Sequence, residues 1–590
     1  MKASVAALHC HVISSRKTLI VSHPEPSIGI HLPASRSSHN ITLLQRLLGD
    51  PDNEELLRET ASQLYANPVD FAEAAKAVIP LWPHEQQKTL AGKNTWENCI
   101  GNQICHPVQI VYPQSLQDLK DEVKQASAMK VPLRAVGSGH SFSDVAVTDG
   151  ILLMPQSMNH VIAVDSSVLK DAPEASTLFS VQSGITIKKL NQELDTRGLA
   201  LINMGAYDGQ TLAGAICTGT HGTGAGLGNI ASSVRSLVIV SETGIVYQIE
   251  PSAGITDPAK FVAKHQDIVL KQDDDWFQSI IVAMGCMGII YSYTLQVMPA
   301  YYLLENRQLG SWEAIKPSLV PPSPGQLPSI ITQHRYFEID VNPYAINGIH
   351  KCIITTRDIH AGPPSGSRGA SNWLSGLVAT FPLLSKTLVG FLNLTPKLIP
   401  SIVNSALTSL ADSNYVDKSY KVLNLGEVNE IKSYAIEFSF DGPNFVQSID
   451  KLLNLIDQAG KEHGWYQTGP IGIRFVQAAD GYLSPQYGRV TCTAECDMLD
   501  GIHSGQNLLR YIEKTVLGDP GVRIHWGLEL DTVEGKEVSE MYPKYPQWLA
   551  VYQQLNTTGM FNNRFTDRIG ISKKQSGWIR SLLRPGQTQR

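Results

Sequence analysis

Three glycine-rich stretches constrain the fold of this chain more than any other feature of its sequence. They are GSGHS at residues 137–141, GAICTGTHGTGAGLGN at residues 214–229 and AMGCMGII at residues 283–290. Glycine lets the backbone approach a ligand closely, and exposed backbone N–H groups can bind an anion. One such loop is common in turns, but the first two also carry serine or threonine hydroxyls beside a histidine. Together they predict a cradle for a pyrophosphate.

The two most familiar nucleotide-binding motifs are missing. No GxxxxGK[ST] string occurs, which argues against a P-loop NTPase. No GxGxxG follows a predicted strand with an acid about 20 residues later, which argues against a Rossmann site. Binding of a dinucleotide by a different fold is still compatible with the sequence.

His140, in the first loop, has four candidate roles: metal ligand, catalytic base, packed loop residue, or anchor for a bound cofactor. The sequence contains eight cysteines but no CxxC pair, so we predict no metal site. The cysteines are also too few for a disulfide-dense secreted protein of this length.

The chain of 590 residues is too long for one hydrophobic core, and about two or three domains are expected. Residues 1–40 are predicted to be a weakly ordered leader, and helical periodicity follows from Thr42 to about Val78. Residues 100–300 alternate short strands with a few helices, which is typical of an α+β domain. After Pro299, the strands SYAIEFSFD, GIRFVQAAD and RVTCTAECDML and the helix NFVQSIDKLLNLIDQAGKEHG predict a second, sheet-plus-helix domain. We place the boundaries at 1–95, 100–300, 301–520 and 521–590.

The net charge of −6, with no run of five like charges, argues against nucleic acid as a partner. The N-terminal residues show no clear secretory signal, because their apolar runs are short and broken by basic residues. Their scarcity of acids also weakly fits an organelle transit peptide. An intracellular location is therefore favoured over secretion, with membrane association or the mitochondrion as alternatives.

Residues 373–403 are rich in leucine, valine and phenylalanine. Prolines and lysines break the segment, so no apolar run reaches the roughly 18–20 residues that a spanning helix needs. Two interpretations stay open. The segment is either an insertion packed on the second domain or a surface that contacts a membrane or an apolar substrate.

The strings RAVGSGHSFSDVAVTDG and NMGAYDGQTLAGAICTGTHGTG resemble the FAD-binding domain of the vanillyl-alcohol-oxidase (VAO)/PCMH flavoproteins. Within that family the chain is similar to the sugar-acid lactone oxidases, such as L-gulonolactone and D-arabinono-1,4-lactone oxidases. The later strings GIRFVQAADGYLSPQYGR and HWGLEL add to the likeness, which covers about residues 100–570. It implies a two-lobed PCMH-type FAD-binding domain followed by a substrate (cap) domain.

The resemblance assigns the cofactor FAD, attached covalently through His140 to the 8α-methyl of the flavin. The alternative is a loop histidine beside a non-covalent flavin. His221 has a structural alternative as a loop residue, and a second link through Cys217 is rejected. The expected cofactor-binding residues are Gly137, Ser138, Gly139, His140, Ser141, Gly205, Thr218, Gly219, Thr220, His221, Thr223, Gly288 and Ile289.

The resemblance also bears on the electron acceptor and the substrate. Gly205 aligns with a position beside the flavin where a small side chain leaves room for O2, so an oxidase is favoured over a dehydrogenase. Arg474 and His525 are the expected catalytic residues. The family's Glu-x-Arg and His-Trp-Gly-Lys patterns have Gly472 and Leu528 at the glutamate and lysine positions here.

The loss of these two polar groups leaves two explanations. Either other residues, such as Glu495 or Glu529, replace them, or the substrate is less polar than an aldonolactone. Three functions follow. The first is oxidation of a CH–OH group, with O2 reduced to H2O2 and a small alcohol or lactone as substrate. The alternatives are an oxidase of an apolar alcohol and a flavin-binding protein without catalysis.

Overall fold

A computed structural model describes residues 34–49, 53–66, 74, 94–366, 389–424 and 432–572. The chain starts with two helices, α1 (Ala34–Gly49) and α2 (Glu54–Ala66). The sequence predicted helix from Thr42 and a weakly ordered leader before it. The helix begins earlier, at Ala34, and residues 1–33 lie outside the described ranges.

The next part of the chain, residues 94–297, contains short strands and five α-helices. Its strands are β1 (Trp96–Glu97), β2 (Ile104–Cys105), β3 (Gln109–Val111), β4 (Leu133–Ala135), β5 (Ile151–Leu153), β6 (Val161–Ile162), β7 (Leu178–Gln182), β8 (Leu199–Ala200), β9 (Val234–Val240), β10 (Val246–Glu250), β11 (Val269–Gln272) and β12 (Ile289–Gln296). Its helices are α3 (Leu116–Met129), α4 (Ile187–Asp195), α5 (Leu212–Cys217), α6 (Pro258–Lys264) and α7 (Asp274–Ile280).

Two sheets organise this part. A small parallel sheet has the order β3-β5-β4, and a six-stranded sheet has the order β11-β10-β9-β12-β7-β6. Helix α3 follows the N-cap Ser115, and its Leu119 and Val123 are buried against both sheets. The first glycine-rich stretch therefore follows β4, an edge strand of the small sheet whose Leu133 is buried in the same core as α3.

Residues 298–572 form the second part. Its strands are β13 (Met298–Pro299), β14 (Tyr302–Ser311), β15 (Tyr336–Val341), β16 (Lys351–His360), β17 (Asp412–Lys418), β18 (Ser433–Asp441), β19 (Ile471–Val476), β20 (Thr491–Leu499) and β21 (Arg523–Ile524). Its helices are α8 (Trp312–Ile315), α9 (Ser329–Thr332), α10 (Ile399–Leu410), α11 (Ser419–Leu423), α12 (Phe445–His463), α13 (Gly505–Val516), α14 (Gly535–Met541), α15 (Tyr545–Leu555) and α16 (Arg564–Arg568). The α+β class is confirmed.

An eight-stranded sheet dominates the second part, in the order β17-β14-β16-β15-β19-β20-β18-β21. Alternate residues of a strand point to opposite faces. On β20, Cys492, Ala494 and Cys496 are buried in the core that also contains residues of α12 and α13. Glu495 and Asp497, between and after them, are half-buried on the other face. The sheet thus has one apolar face and one polar face.

The two parts interlock. The Leu133 N–H of β4 donates to the Met560 carbonyl at 2.8 Å, and the Phe142 N–H donates to the Gly527 carbonyl at 2.8 Å. The Gln477 N–H, just after β19, donates to the Leu227 carbonyl at 3.0 Å. Predicted strand GIRFVQAAD therefore ends at Val476, because the following loop turns onto the second glycine-rich stretch.

The described end of the apolar segment, residues 389–403, is packed. Phe391 and Leu398 are fully buried against Leu44 and Leu47 of α1 and residues of α2. Residues 373–388, on which the predicted membrane contact also rests, lie outside the described residues. Among the helices described, none is long and apolar enough to cross a membrane.

Candidate active site

The first two glycine-rich stretches meet beside helix α5. Thr211 caps this helix, with its hydroxyl accepting from the Gly214 N–H. A Cβ at Gly137 would lie 1.9 Å from the Thr211 Oγ1, so only glycine fits there. Gly139 has a φ of +71°, which glycine adopts without strain. Within the described residues, the backbone N–H groups of Gly139, His140 and Ser141 donate to no protein acceptor. These three consecutive donors fit the phosphate oxygens of the predicted FAD.

His140 faces Tyr207, which lies on the loop before α5. The His140 Nε2 is 2.7 Å from the Tyr207 Oη, and the two ring centroids are 4.6 Å apart. Burial lowers the pKa of His140 to about 4. The imidazole is therefore neutral near pH 7 and keeps a lone pair on one nitrogen, as a nucleophile requires.

His221 forms a buried ion pair with Glu437 of β18. Its Nε2 lies 2.9 Å from the Glu437 Oε1, and its Nδ1 lies 2.7 Å from the Gly222 carbonyl oxygen. Both side chains are under 5% exposed. Burial alone would lower the pKa of His221, but the Glu437 carboxylate outweighs burial, so the pKa is raised. His221 thus links the second glycine-rich stretch to the polar face of the large sheet as an imidazolium.

His525 is neutral although it lies close to this pair. The Gly527 N–H donates to its Nδ1 at 3.1 Å, which leaves the proton on Nε2, 3.4 Å from the Thr220 Oγ1. Burial lowers the pKa of His525 to about 4. His525 therefore presents an N–H donor rather than a base.

A row of acids crosses the polar face of the eight-stranded sheet. Strand pairing aligns Asp340 of β15, Gly472 of β19, Glu495 of β20 and Glu437 of β18. Burial and the nearby Glu338 carboxylate raise the pKa of Asp340 to about 7. Burial raises the pKa of Asp497, two residues beyond Glu495, well above its usual range. The face thus offers carboxyl groups whose pKa values are raised by their surroundings.

Arg474 lies over the glycine in this row. Its Nε donates to Glu338 at 2.9 Å and its Nη1 to Glu495 at 2.5 Å. A Cβ at Gly472 would be 3.4–3.5 Å from the guanidinium nitrogens and from the Asp340 Oδ1. The position of the family glutamate is therefore surrounded by Arg474 and by carboxyl groups of neighbouring strands. Arg474 is already paired with protein carboxylates, which raise its pKa against the effect of burial.

The other residues that the sequence analysis singled out lie in different parts of the structure. The Thr218 hydroxyl donates to the Gly214 carbonyl at 2.9 Å and the Thr223 hydroxyl to the Phe337 carbonyl at 2.7 Å, so both donors are used within the protein. Ile289 is buried in the core under β4 and β5. Glu529 accepts from Asn102 at 2.8 Å and lies outside the row, so of the two suggested replacements only Glu495 is next to Gly472.

Gly205 has a role in packing that the sequence did not reveal. A Cβ there would lie 3.1 Å from the His221 carbonyl oxygen and 3.7 Å from the Thr220 Cγ2. A larger residue there would therefore press on the second glycine-rich stretch, whatever its effect on O2. Tyr207, Asp340 and Glu437 were missed, because strand order and loop contacts between distant segments leave no local signal.

Both parts of the chain match known protein families. Residues 107–250 match the family model of an FAD binding domain, and residues 294–569 match that of D-arabinono-1,4-lactone oxidase. An L-gulono-1,4-lactone dehydrogenase of Mycobacterium tuberculosis is 27% identical over 476 residues, covering 80% of this chain and 98% of that protein. An L-gulonolactone oxidase of Mus musculus is 26% identical over 482 residues, covering 80% and 97%.

Solved structures show the same fold. A solvent-stable cholesterol oxidase superposes with a TM-score of 0.60 at 14% identity, covering 81% of this chain and 97% of that one. A chitooligosaccharide oxidase superposes with a TM-score of 0.52 at 12% identity, covering 83% and 97%. At such low sequence identities, these superpositions show a shared fold only. FAD is the cofactor supported by the family match and by the donors of residues 139–141.

Proposed function

This chain belongs to the VAO/PCMH-type FAD-linked oxidases, in the group that includes the aldonolactone oxidases, and from that premise we propose that it oxidises a CH–OH group of a neutral, polyhydroxylated lactone. The single observation that carries the choice of substrate is the acid row on the polar face of the sheet. Asp340 and Glu495 flank Gly472, where the family glutamate is missing.

This row favours a polar substrate over an apolar alcohol. An unpaired hydroxyl in a closed site costs about 1–3 kcal/mol, and carboxyl oxygens next to Gly472 can accept from such hydroxyls. An apolar alcohol would instead offer these carboxyl groups no hydrogen bond.

The proposed roles follow from protonation states. Bound FAD supplies the acceptor for the hydride. Arg474 and the Nε2–H of His525 donate to substrate oxygens. Because His525 is neutral with its proton on Nε2, we assign removal of the hydroxyl proton to Asp340, whose pKa of about 7, raised by burial and by Glu338, suits a general base.

We propose O2 as the final acceptor and His140 as the covalent attachment site. Among the relatives, one is named a dehydrogenase and another an oxidase, so the acceptor is tested directly. Acid precipitation of the purified protein should leave yellow colour in the pellet. Colour in the supernatant would remove the covalent link and leave FAD binding intact.

A panel of donors tests the activity. L-gulono-1,4-lactone, D-arabinono-1,4-lactone, an alditol and a sterol are mixed anaerobically with the holoenzyme, and flavin bleaching is followed. The same donors are then supplied in air while H2O2 is measured. We expect bleaching with a lactone and stoichiometric H2O2. Faster bleaching by the sterol would contradict the substrate class, and bleaching without H2O2 until a dye is added would contradict O2.

A further inference from the structure

Tyr207 contacts the candidate attachment site and stands in the string NMGAYDGQTLAGAICTGTHGTG, although the resemblance assigns it no role. It lies between the two glycine-rich stretches in the chain, and its hydroxyl is 2.7 Å from the His140 Nε2. The phenol and imidazole rings are tilted by 58° at a centroid distance of 4.6 Å. The hydroxyl therefore meets the edge of the imidazole and not its face.

The surrounding backbone fixes this contact. A Cβ at Gly209 would lie 2.2 Å from the Tyr207 Oη, so the phenol lies over a residue that must be glycine. On the other side, Gly137 packs against Thr211, which holds the His140 loop to the same segment. Gly209 thus packs against the phenol, and Gly137 packs the His140 loop against the segment that carries it.

We propose that Tyr207 is a positioning residue that occupies the Nε2 of His140 and so directs the flavin bond to Nδ1. This inference rests on the covalent link of the proposed function. A neutral imidazole has one N–H and one lone pair. When the Tyr207 oxygen accepts from the Nε2–H, the lone pair stands on Nδ1, and that nitrogen is the nucleophile.

The attachment balances as follows. A bond forms between the His140 Nδ1 and the 8α carbon of FAD, and one C–H bond of the 8-methyl group breaks. The two electrons of that bond remain on the flavin, which takes up two protons, one from the methyl group and one from the imidazole. O2 then removes the two electrons and two protons and becomes H2O2. The linked imidazole is left with a lone pair on Nε2.

The phenol suits both stages of this reaction. A tyrosine hydroxyl can accept or donate. It accepts from the Nε2–H before attachment and donates to the Nε2 lone pair afterwards, without leaving its place. Phenylalanine can do neither, although it fills the same space.

The test uses Tyr207→Phe, with Tyr291→Phe as matched control and His140→Ala as reference. Tyr291 lies in the same FAD-binding part, and its hydroxyl accepts from Gln182 at 3.3 Å, so the control also loses one phenol hydroxyl and one hydrogen bond. Apoprotein is reconstituted with FAD in air. Total FAD is read by absorbance, covalent FAD by fluorescence in denaturing gels, and the linked nitrogen by NMR of the flavinyl peptide.

We expect both tyrosine variants to bind FAD like the parent protein. Covalent attachment should be about tenfold slower in Tyr207→Phe alone, the rate change that one hydrogen bond accounts for. The parent protein should be linked through Nδ1. If FAD becomes attached to Tyr207→Phe at the parent rate, or if the link is through Nε2, the inference is wrong although the covalent link to His140 is confirmed. Covalent flavin in His140→Ala, or none in the parent protein, would contradict the covalent link through His140, and the inference about Tyr207 would fail with it.

Discussion

His221 and His525, whose ring centroids are 6.3 Å apart, differ in protonation: His221 is an imidazolium and His525 is neutral. Burial disfavours the charged form of both rings. His221 overcomes it because Glu437 lies 2.9 Å away and the Gly222 carbonyl accepts from its second nitrogen. His525 does not, because a backbone N–H occupies its Nδ1. His221 thus carries a positive charge that the Glu437 carboxylate neutralises, and His525 is a neutral donor.

The His221–Glu437 pair should make stability depend on pH in a defined direction. His221 has a raised pKa, so its contribution is complete below about 6.5 and is lost as pH rises through the folded value. The pKa of Glu437 is about 2: burial would raise it, but the positive charge of His221 outweighs burial, so its contribution is complete above about 4.5 and lost as pH falls toward 2.

Urea unfolding of the apoprotein and of Glu437→Gln should therefore differ most between about pH 4.5 and 6.5. Breaking a buried pair costs about 3–5 kcal/mol there, and the difference should shrink at higher pH. Glu462→Gln, at an exposed acid on α12, is the control and should change little. A difference between parent and Glu437→Gln that is constant across the range would contradict the ion pair.

Asp340 gives a second prediction at this scale. As a base it acts when ionised, so the anaerobic rate of flavin reduction should rise with pH through about 7. Asp340→Asn should lower that rate about 10²- to 10⁴-fold and flatten the profile. Asp497→Asn is the control, because burial raises the pKa of Asp497 well above its usual range and the amide nearly reproduces the shape of its carboxyl. Equal losses in both variants would show that the acids only bind the substrate.

Among the strands, the sequence predicted the positions of individual strands better than it predicted which strands pair with one another. Alternation in RVTCTAECDML indicates which residues of β20 face the core, and the strand spans Thr491–Leu499. The alignment of Asp340, Gly472 and Glu495 depends on β19 lying between β15 and β20, although these strands are distant in the chain. The cofactor loops could be located by their glycines, but the replacement for the missing glutamate could not.

Strand β4 supports a prediction of its own. The Arg134 side chain is 1% exposed and donates to carbonyls of three separate segments, at Phe561, Val145 and Met284. Arg134→Met leaves the buried carbonyls of Phe561 and Met284 unpaired, while the Val145 carbonyl still accepts from Asn563, and should cost about 2 kcal/mol or more. Because the His140 loop follows β4 directly, non-covalent FAD should also dissociate faster. Arg197→Met, at a surface ion pair, should have little effect on urea unfolding or on FAD release.

At the scale of the whole molecule, the N-terminal helices differ from the rest in how they are attached. The FAD-binding and substrate parts share one continuous core and exchange backbone hydrogen bonds. Helices α1 and α2 instead form a separate cluster with Phe391 and Leu398, around the start of α10. Both family matches begin after them, at residues 107 and 294. These helices cover an apolar surface of the substrate part and lie apart from the acid row.

Leu44→Asp should therefore detach the helices without affecting the flavin. Leu44 is fully buried, and an unpaired carboxylate in that cluster costs several kcal/mol. Phe391 and Leu398, both 0% exposed in the intact protein, then become accessible, and exposed apolar surface of this kind promotes association.

Gln45→Asp, on the exposed side of α1, is the matched control. Light scattering after gel filtration should show larger species for Leu44→Asp alone, while FAD content and flavin reduction rates stay equal in both variants. A monodisperse Leu44→Asp protein with unchanged protease sensitivity in α1 and α2 would show that the cluster does not hold the helices in place.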